Sequence, residues 1–201
     1  MPMLYLASAS PRRQELIRYL GINPKVVVSN FDEASLAHIK DPLVYVEAAA
    51  KGKAAAVANL HSGIVIGVDT DVVCPDGHIL GQPDSYDAAI SMLKHLSGRT
   101  HTVHSAIVLV DSTVTPHRVI SEITTTKVTF ADIPEDQLNA YVATGSPFDK
   151  AGGYGMQDQA MAFVASIDGD PSNVIGLPLV SLRRLLSLWD ITMFAESEST
   201  E

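Results

Sequence analysis

The sequence predicts an α/β fold on a mixed sheet, and three observations carry that prediction. Ile64-Val65-Ile66-Gly67-Val68 is continuously apolar, as a strand buried on both faces must be. Two long β-rich stretches, residues 102–110 and 118–130, are joined through Asp111-Ser112-Thr113 and Pro116 in the pattern of a hairpin. Around them, short apolar runs alternate with helical patterns along the chain.

The elements follow in order. Met3-Leu4-Tyr5-Leu6-Ala7 reads as a strand, and Ser10 then serves as N-cap with Pro11 at the first helical position. Leu16, Ile17 and Leu20 form that helix's apolar stripe, and Gly21 stops it. Val26-Val27-Val28 is a second strand. Asp41-Pro42 opens an Ala-rich helix reaching about residue 60. After the apolar strand, Pro75-Asp76-Gly77 makes a turn and a helix covers residues 86–96. Beyond the hairpin come a helix over 134–143, a glycine-rich loop through Gly155, a strand over 162–167 and a last helix from Leu179.

With 201 residues, 46% of them hydrophobic, the chain is one globular domain or two closely joined lobes, and needs no disulfide or metal staple. The single Cys74 fits a reducing compartment. No signal-peptide pattern is present and no apolar run approaches about 18 residues, so the expected location is the cytoplasm, without a membrane span. Lys and Arg number 14 against 23 Asp and Glu, a net charge of −9 that repels a nucleic-acid backbone. A small anionic ligand therefore requires a local cationic pocket and a metal. The expected domain covers residues 1–190, followed at 191–201 by a disordered acidic tail.

Arg12 and Arg13 stand in a helical first turn, where the macrodipole favours anions and an unpartnered cation costs roughly a few tenths of a kcal/mol. A bound phosphate reverses that sign, since free N–H groups, dipole and two guanidinium forks then face one polyanion. A solvated surface pair is the alternative. Asp69 ends the predicted strand 64–68, where open α/β sheets present catalytic groups, or else it caps the next turn. Asp71, two residues on, reads as a turn or surface residue. Asp32-Glu33 follows the second strand; as a bare dipeptide it is a solvated acidic pair. Lys51 and Lys53 stand on the long helix. In Asp149-Lys150-Ala151-Gly152-Gly153 the glycines allow close backbone approach to a ligand, but no Walker-type phosphate loop occurs in the chain. His101 and His104 fall in a β-type run and read as sheet residues.

Taken together, residues 4–20, Asp32-Glu33, Tyr45-Val46, Lys51-Gly52-Lys53-Ala54, Gly67-Val68-Asp69-Thr70 and Leu80-Gly81-Gln82-Pro83 resemble, in family order, the Maf family of nucleoside triphosphate pyrophosphatases. So do residues 92–101, residues 149–157 and Asn173-Val174-Ile175-Gly176-Leu177-Pro178-Leu179. The resemblance spans residues 4 to about 186. It implies the elongated two-lobed architecture of the inosine triphosphate pyrophosphatases, with a cleft between lobes, and a homodimer. It implies cleavage of a nucleoside triphosphate between the α and β phosphates, with Asp69 as base and Glu33 and Lys53 as its catalytic partners. Ser8, Ser10, Arg12, Arg13, Thr70, Gln82, Asp149, Lys150 and Gln157 would bind substrate. Two carboxylates facing a triphosphate repel it unless Mg²⁺ or Mn²⁺ sits between them, so Glu33 and Asp69 are the expected metal ligands.

Arg12 directly after Pro11, Thr70 after Asp69 and Gln157 after the Tyr-Gly pair resemble the branch acting on dTTP and UTP rather than the 7-methyl-GTP branch. Three positions depart from the family pattern: Gln82 replaces a usual Lys, Ser146 a common Glu and Asp158 a common Gly. The rival reading is a nucleotide-binding regulator of cell division with weak or lost turnover, and Gln82 is its best support.

Overall fold

The computed structural model describes residues 2–194. Seven strands form one mixed sheet among these residues: β1 (Leu4–Leu6), β2 (Lys25–Val26), β3 (Ile64–Val73), β4 (Ile79–Leu80), β5 (Thr100–Asp111), β6 (Arg118–Phe130) and β7 (Val164–Asp168). Their order is β2-β1-β3-β5-β6-β7, with β4 paired to β3. The helices are α1 (Pro11–Arg18), α2 (Pro42–Ala58), α3 (Tyr86–Leu96), α4 (Glu135–Ala143), α5 (Pro171–Ile175) and α6 (Leu179–Ser187). The mixed α/β class is therefore as expected. The chain divides into two compact units: residues up to Asp69, Ala106–Ile123 and the chain from Gly176 form one, Thr70–Ser105 and Thr124–Ile175 the other.

In the first unit β1 runs parallel to both β2 and β3. Parallel neighbours need a crossover, and α2 supplies a long one. Asp41 caps α2 by accepting from the Leu43 and Val44 N–H groups at 2.9 and 3.3 Å. Val46, Ala50, Ala54 and Val57 of α2 pack with Val65, Ala106 and Val108 into one core. Gly67 sets how closely α2 approaches: a Cβ there would strike the Ala50 carbonyl oxygen and stand 2.7 Å from Ala54 Cβ. Real Cβ contacts are not that short, so helix and strand meet nearly backbone to backbone.

Strand β3 is longer than the apolar run suggests. It continues through Thr70 to Val73 because Val72 and Val73 pair antiparallel with Leu80 and Ile79 across the Pro75-Asp76-Gly77 turn. Asp69 accordingly lies inside a strand, not at its end. The β4 strand and the short α5 have too little apolar pattern to be read in advance. Part of the expected tail is also packed. Ile191 is buried and the Phe194 N–H donates to Leu20 O at 2.9 Å, so ordered packing reaches beyond the boundary expected at 190; residues 195–201 lie outside the described residues.

The second unit has its own core, in which Leu93, Leu96, Phe130, Leu138, Tyr141 and Phe163 are buried. His101 and His104 are sheet residues of β5, as expected. His101 is buried, edge-on to Phe130, and hydrogen-bonded through Nε2 to Tyr154 Oη at 2.7 Å. Burial lowers its pKa from 6.5 to about 4. An unfolded histidine takes a proton near pH 6.5 and this one does not, so stability falls as pH drops from about 6.5 to 4. We expect a loss of up to about 3 kcal/mol over that window from this group. Urea unfolding at stepped pH checks it: His101→Gln should flatten the acid limb by close to one proton, and an unchanged slope would show that other groups carry it.

Candidate active site

Asp69, on β3, is 6% exposed, and a buried carboxylate requires partners. Its Oδ1 accepts from Lys53 Nζ at 2.6 Å. The same ammonium lies 3.0 Å from Glu33 Oε1, whose side chain is 47% exposed. Three segments far apart in sequence thus converge on one nitrogen. Two glycines make this possible. Gly67 lets α2 close on β3 and so brings Lys53 to Asp69. Gly52 leaves room for Phe31, since a Cβ there would stand 2.6 Å from Phe31 Cε1 and closer still to Cε2 and Cζ. Phe31 seated on α2 leads directly into Asp32, which caps the turn Glu33–Leu36 through Ala34 N at 3.0 Å, and Glu33 is thereby delivered to Lys53. Lys51, two residues earlier and so on the other side of α2, instead pairs with Glu47 at 2.8 Å.

The turn from β1 into α1 forms as its residues dictate. Ser10 Oγ accepts from Arg13 N at 3.4 Å as N-cap, and Ser8 Oγ accepts from Ser10 N at 3.2 Å. Arg13 does more than stand at the helix N-terminus. Its Nη1 donates to Ser8 Oγ at 3.2 Å and to Val68 O at 3.0 Å, and its Nε donates to Gly176 O at 2.9 Å. The fork thereby ties the β1–α1 turn to the backbone immediately before Asp69. Desolvation lowers the Arg13 pKa, against which the nearby Asp69 and Glu33 charges act in the opposite sense. Arg12, half-buried, adds a repelling cation. Arg13 and Lys53 thus both feel the charges of Asp69 and Glu33, and Arg12 lies close enough to repel Arg13, a local group of cations in a chain of net charge −9.

The remaining expected site residues belong to the second unit. Thr70 Oγ1 shares a hydrogen bond with Ser105 Oγ at 2.8 Å. Gln82 is exposed, and its Nε2 donates to Asp149 O at 3.3 Å. Lys150 is held inside its own loop: Nζ reaches Ser146 O and Asp149 Oδ1 at 2.6 Å, Ser146 Oγ at 3.1 Å and Asp158 Oδ2 at 3.4 Å. Gly155 accommodates its stem, for a Cβ there would stand 2.7 Å from Lys150 Cε. Gln157 is exposed, immediately before Asp158.

Asp158 and Ser146, both departures from the family pattern, prove to be in contact. Ser146 Oγ donates to Asp158 Oδ2 at 2.6 Å, Tyr141 Oη donates to the same oxygen at 3.1 Å, and Asp158 Oδ1 caps the following turn through Ala160 N at 2.8 Å. Burial and the Asp158 charge push the Tyr141 phenol far above its usual pKa. Asp158 thus adds a second carboxylate to Lys150 beside that of Asp149, and Ser146 is bonded to it. Neither single departure hinted at this; only the two together carry the signal. We expect Asp158→Gly to cost about 1–3 kcal/mol, because Tyr141, Ser146 and Lys150 lose one shared acceptor. Adding Ser146→Glu should recover most of it in denaturant titrations, and additive losses in the double variant would show that the positions are independent.

The family model for Maf-like protein matches residues 3–189. The dTTP/UTP pyrophosphatase of Moorella thermoacetica is 47% identical over 195 residues, covering 96% of this chain and 98% of the relative. That of Clostridium novyi is 42% identical over 182 residues, covering 90% and 94%. Among solved structures, a HAM1 protein from Coxiella burnetii superimposes with a TM-score of 0.48 at 12% identity, over 94% of this chain and 99% of that one.

Proposed function

The chain belongs to the Maf-like protein family, and from that premise we propose that it is a nucleoside triphosphate pyrophosphatase releasing a nucleoside monophosphate and pyrophosphate, with dTTP and UTP preferred. The observation that carries the reading is the convergence of Asp69 and Glu33 on Lys53 beside the Arg13-tied turn. In the reaction a water oxygen bonds to the α-phosphorus, the bond from that phosphorus to the bridging oxygen breaks, and its electron pair leaves with pyrophosphate. Asp69 takes the water proton. With Oδ1 engaged by Lys53, Oδ2 is the atom assigned to that transfer. Arg12 and Lys53 supply positive charge to the phosphates, and Ser8 and Ser10 line the same turn. Arg13 contributes charge while its Nε and Nη1 keep the backbone at Val68 and Gly176 in place. Thr70, Gln82, Asp149, Lys150 and Gln157 complete the substrate contacts in this reading.

Glu33 and Asp69 suit a divalent cation: both are hard oxygen donors, and both already meet at one cationic centre. Bound there, Mg²⁺ or Mn²⁺ would neutralise phosphate charge and activate water. The same reading includes a homodimer acting in the cytoplasm on free nucleotides. The net charge of −9 supports small-molecule over nucleic-acid substrates, and no described helix is long and apolar enough to cross a membrane.

Asp69→Asn keeps shape while removing the proton acceptor, so pyrophosphate release should fall by roughly 10²- to 10⁴-fold with the unfolding midpoint nearly unchanged. A variant retaining half of the parent rate would sink the assignment. A parent protein that binds nucleotide without turnover would instead favour the division-regulator reading.

Arg12, Thr70 and Gln157 motivate the substrate preference. Polar groups that the bound substrate covers and the wrong base leaves unmatched are costly, so kcat/KM for dTTP and UTP should exceed that for 7-methyl-GTP by at least about tenfold. Equal values in a direct competition assay would mean that these positions do not set specificity.

A further inference from the structure

In the second unit, three side chains of different donor type meet at a place the reaction above does not use. The β3–β4 hairpin turns tightly, with Cys74 N donating to His78 O and Gly77 N to Cys74 O, both at 2.9 Å. Gly77 makes the turn possible at φ 88°, a conformation other residues rarely adopt. The consequence is that Cys74, buried, and Asp76, exposed, are brought next to His95 in the last turn of α3. One ligand atom from each, the Cys74 sulfur, an Asp76 carboxylate oxygen and a His95 ring nitrogen, lies within 4.8 Å of the other two. Asp76 Oδ2 and His95 Nε2 are 3.3 Å apart, while Asp76 Oδ1 is occupied by His78 N at 3.3 Å. All three border an open cavity of about 460 Å³, which His78 also lines.

We propose that Cys74, Asp76 and His95 form a binding site for a borderline-soft divalent cation, Zn²⁺, that clasps the β3–β4 hairpin to α3. The spacing fits. Tetrahedral zinc bonds of about 2.0–2.3 Å set ligand atoms roughly 3.3–3.8 Å apart, so the Asp76–His95 pair is already at ligand spacing and the sulfur needs an adjustment of about 1.5 Å at most. The donors select the metal: thiolate and imidazole favour zinc over Mg²⁺ or Mn²⁺, which prefer all-oxygen sets such as Glu33 and Asp69. Without metal, burial and the Asp76 charge push the Cys74 thiol pKa up, so binding displaces one proton from sulfur and leaves His95 Nε2 as the coordinating nitrogen. Lys94 and Arg99 also border the cavity, and the Lys94 ammonium is paired with Glu135 at 2.6 Å. The fourth position is open to water or His78. Strand β4 leads straight into Gly81-Gln82, so the clasp would steady the segment carrying Gln82.

Chelator-treated, reduced full-length protein is titrated with Co²⁺ as a spectroscopic stand-in and then with Zn²⁺. One equivalent of Co²⁺ should raise a near-ultraviolet thiolate-to-metal charge-transfer band, which Zn²⁺ bleaches and a large excess of Mg²⁺ does not. Cys74→Ser should abolish the band, and His95→Gln and Asp76→Asn should each weaken affinity at least tenfold. Asp69→Asn, altering the other site, should leave band and affinity unchanged. The thermal midpoint should rise with Zn²⁺ in the parent protein only. Absence of the band, or unchanged affinity in Asp76→Asn and His95→Gln, overturns the proposal. Asp76 is exposed, so Asp76→Asn decides the matter even if Cys74→Ser disturbs packing.

Discussion

The placement of one ammonium group between two carboxylates organises the first unit. Lys53 satisfies buried Asp69, and removing the ammonium would leave that carboxylate uncompensated at a cost of roughly 3–5 kcal/mol, whereas Lys53 keeps Glu33 as its partner when Asp69 is neutralised. That pair depends on α2 lying against β3 with no side chain between them at Gly67, and Glu33 joins it because Gly52 admits Phe31. Both glycines work by absence of bulk: neither has the positive φ that so often accounts for a glycine. Packing and chemistry are thus the same constraint here, since any widening between α2 and β3 would move Lys53 off Asp69.

Arg13 extends that constraint to the rest of the unit. A guanidinium can serve a bound polyanion or hold backbone carbonyls, and in this structure its Nε and Nη1 do the second. Its bond to Val68 O stiffens the strand at the residue before Asp69, and its bond to Gly176 O recruits a chain segment 163 positions away. The gathered cations sit among neighbours that keep them partly desolvated, which strengthens their pull on an incoming anion relative to exposed lysines and arginines. That local group of cations belongs to a chain whose net charge is −9. Charge averaged over the chain therefore says which partners are repelled, and only the local arrangement says which are attracted.

The second unit follows another logic, in which a single acceptor unifies a loop. Asp158 collects Tyr141, Ser146, Ala160 N and Lys150, so the glycine-rich segment is ordered by side-chain hydrogen bonds where regular structure is short. Lys150 reaches that network because Gly155 leaves space for its stem. Ser146 and Asp158, two departures that look unrelated in sequence, are in contact with each other and with the same lysine.

Periodicity and capping residues, which act over a few positions, determined most of the elements. Helices α2 and α3, the β5–β6 hairpin and the Ser10 cap stand close to where the residues predicted them. Ordered matching segments likewise determined the family, and named Asp69, Glu33 and Lys53 together. What tertiary structure decided is everything that depends on distance between remote segments. It extended β3 past Asp69 by pairing it with β4, turned Lys51 outward and Lys53 inward on one helix, and assigned Arg13 to carbonyls of Val68 and Gly176. It also joined Ser146 to Asp158 and drew Cys74, Asp76 and His95 together. Sequence spacing records neighbours along the chain, whereas a hydrogen bond or a ligand set is formed by neighbours in space, and close packing at a few glycines is what converts one into the other.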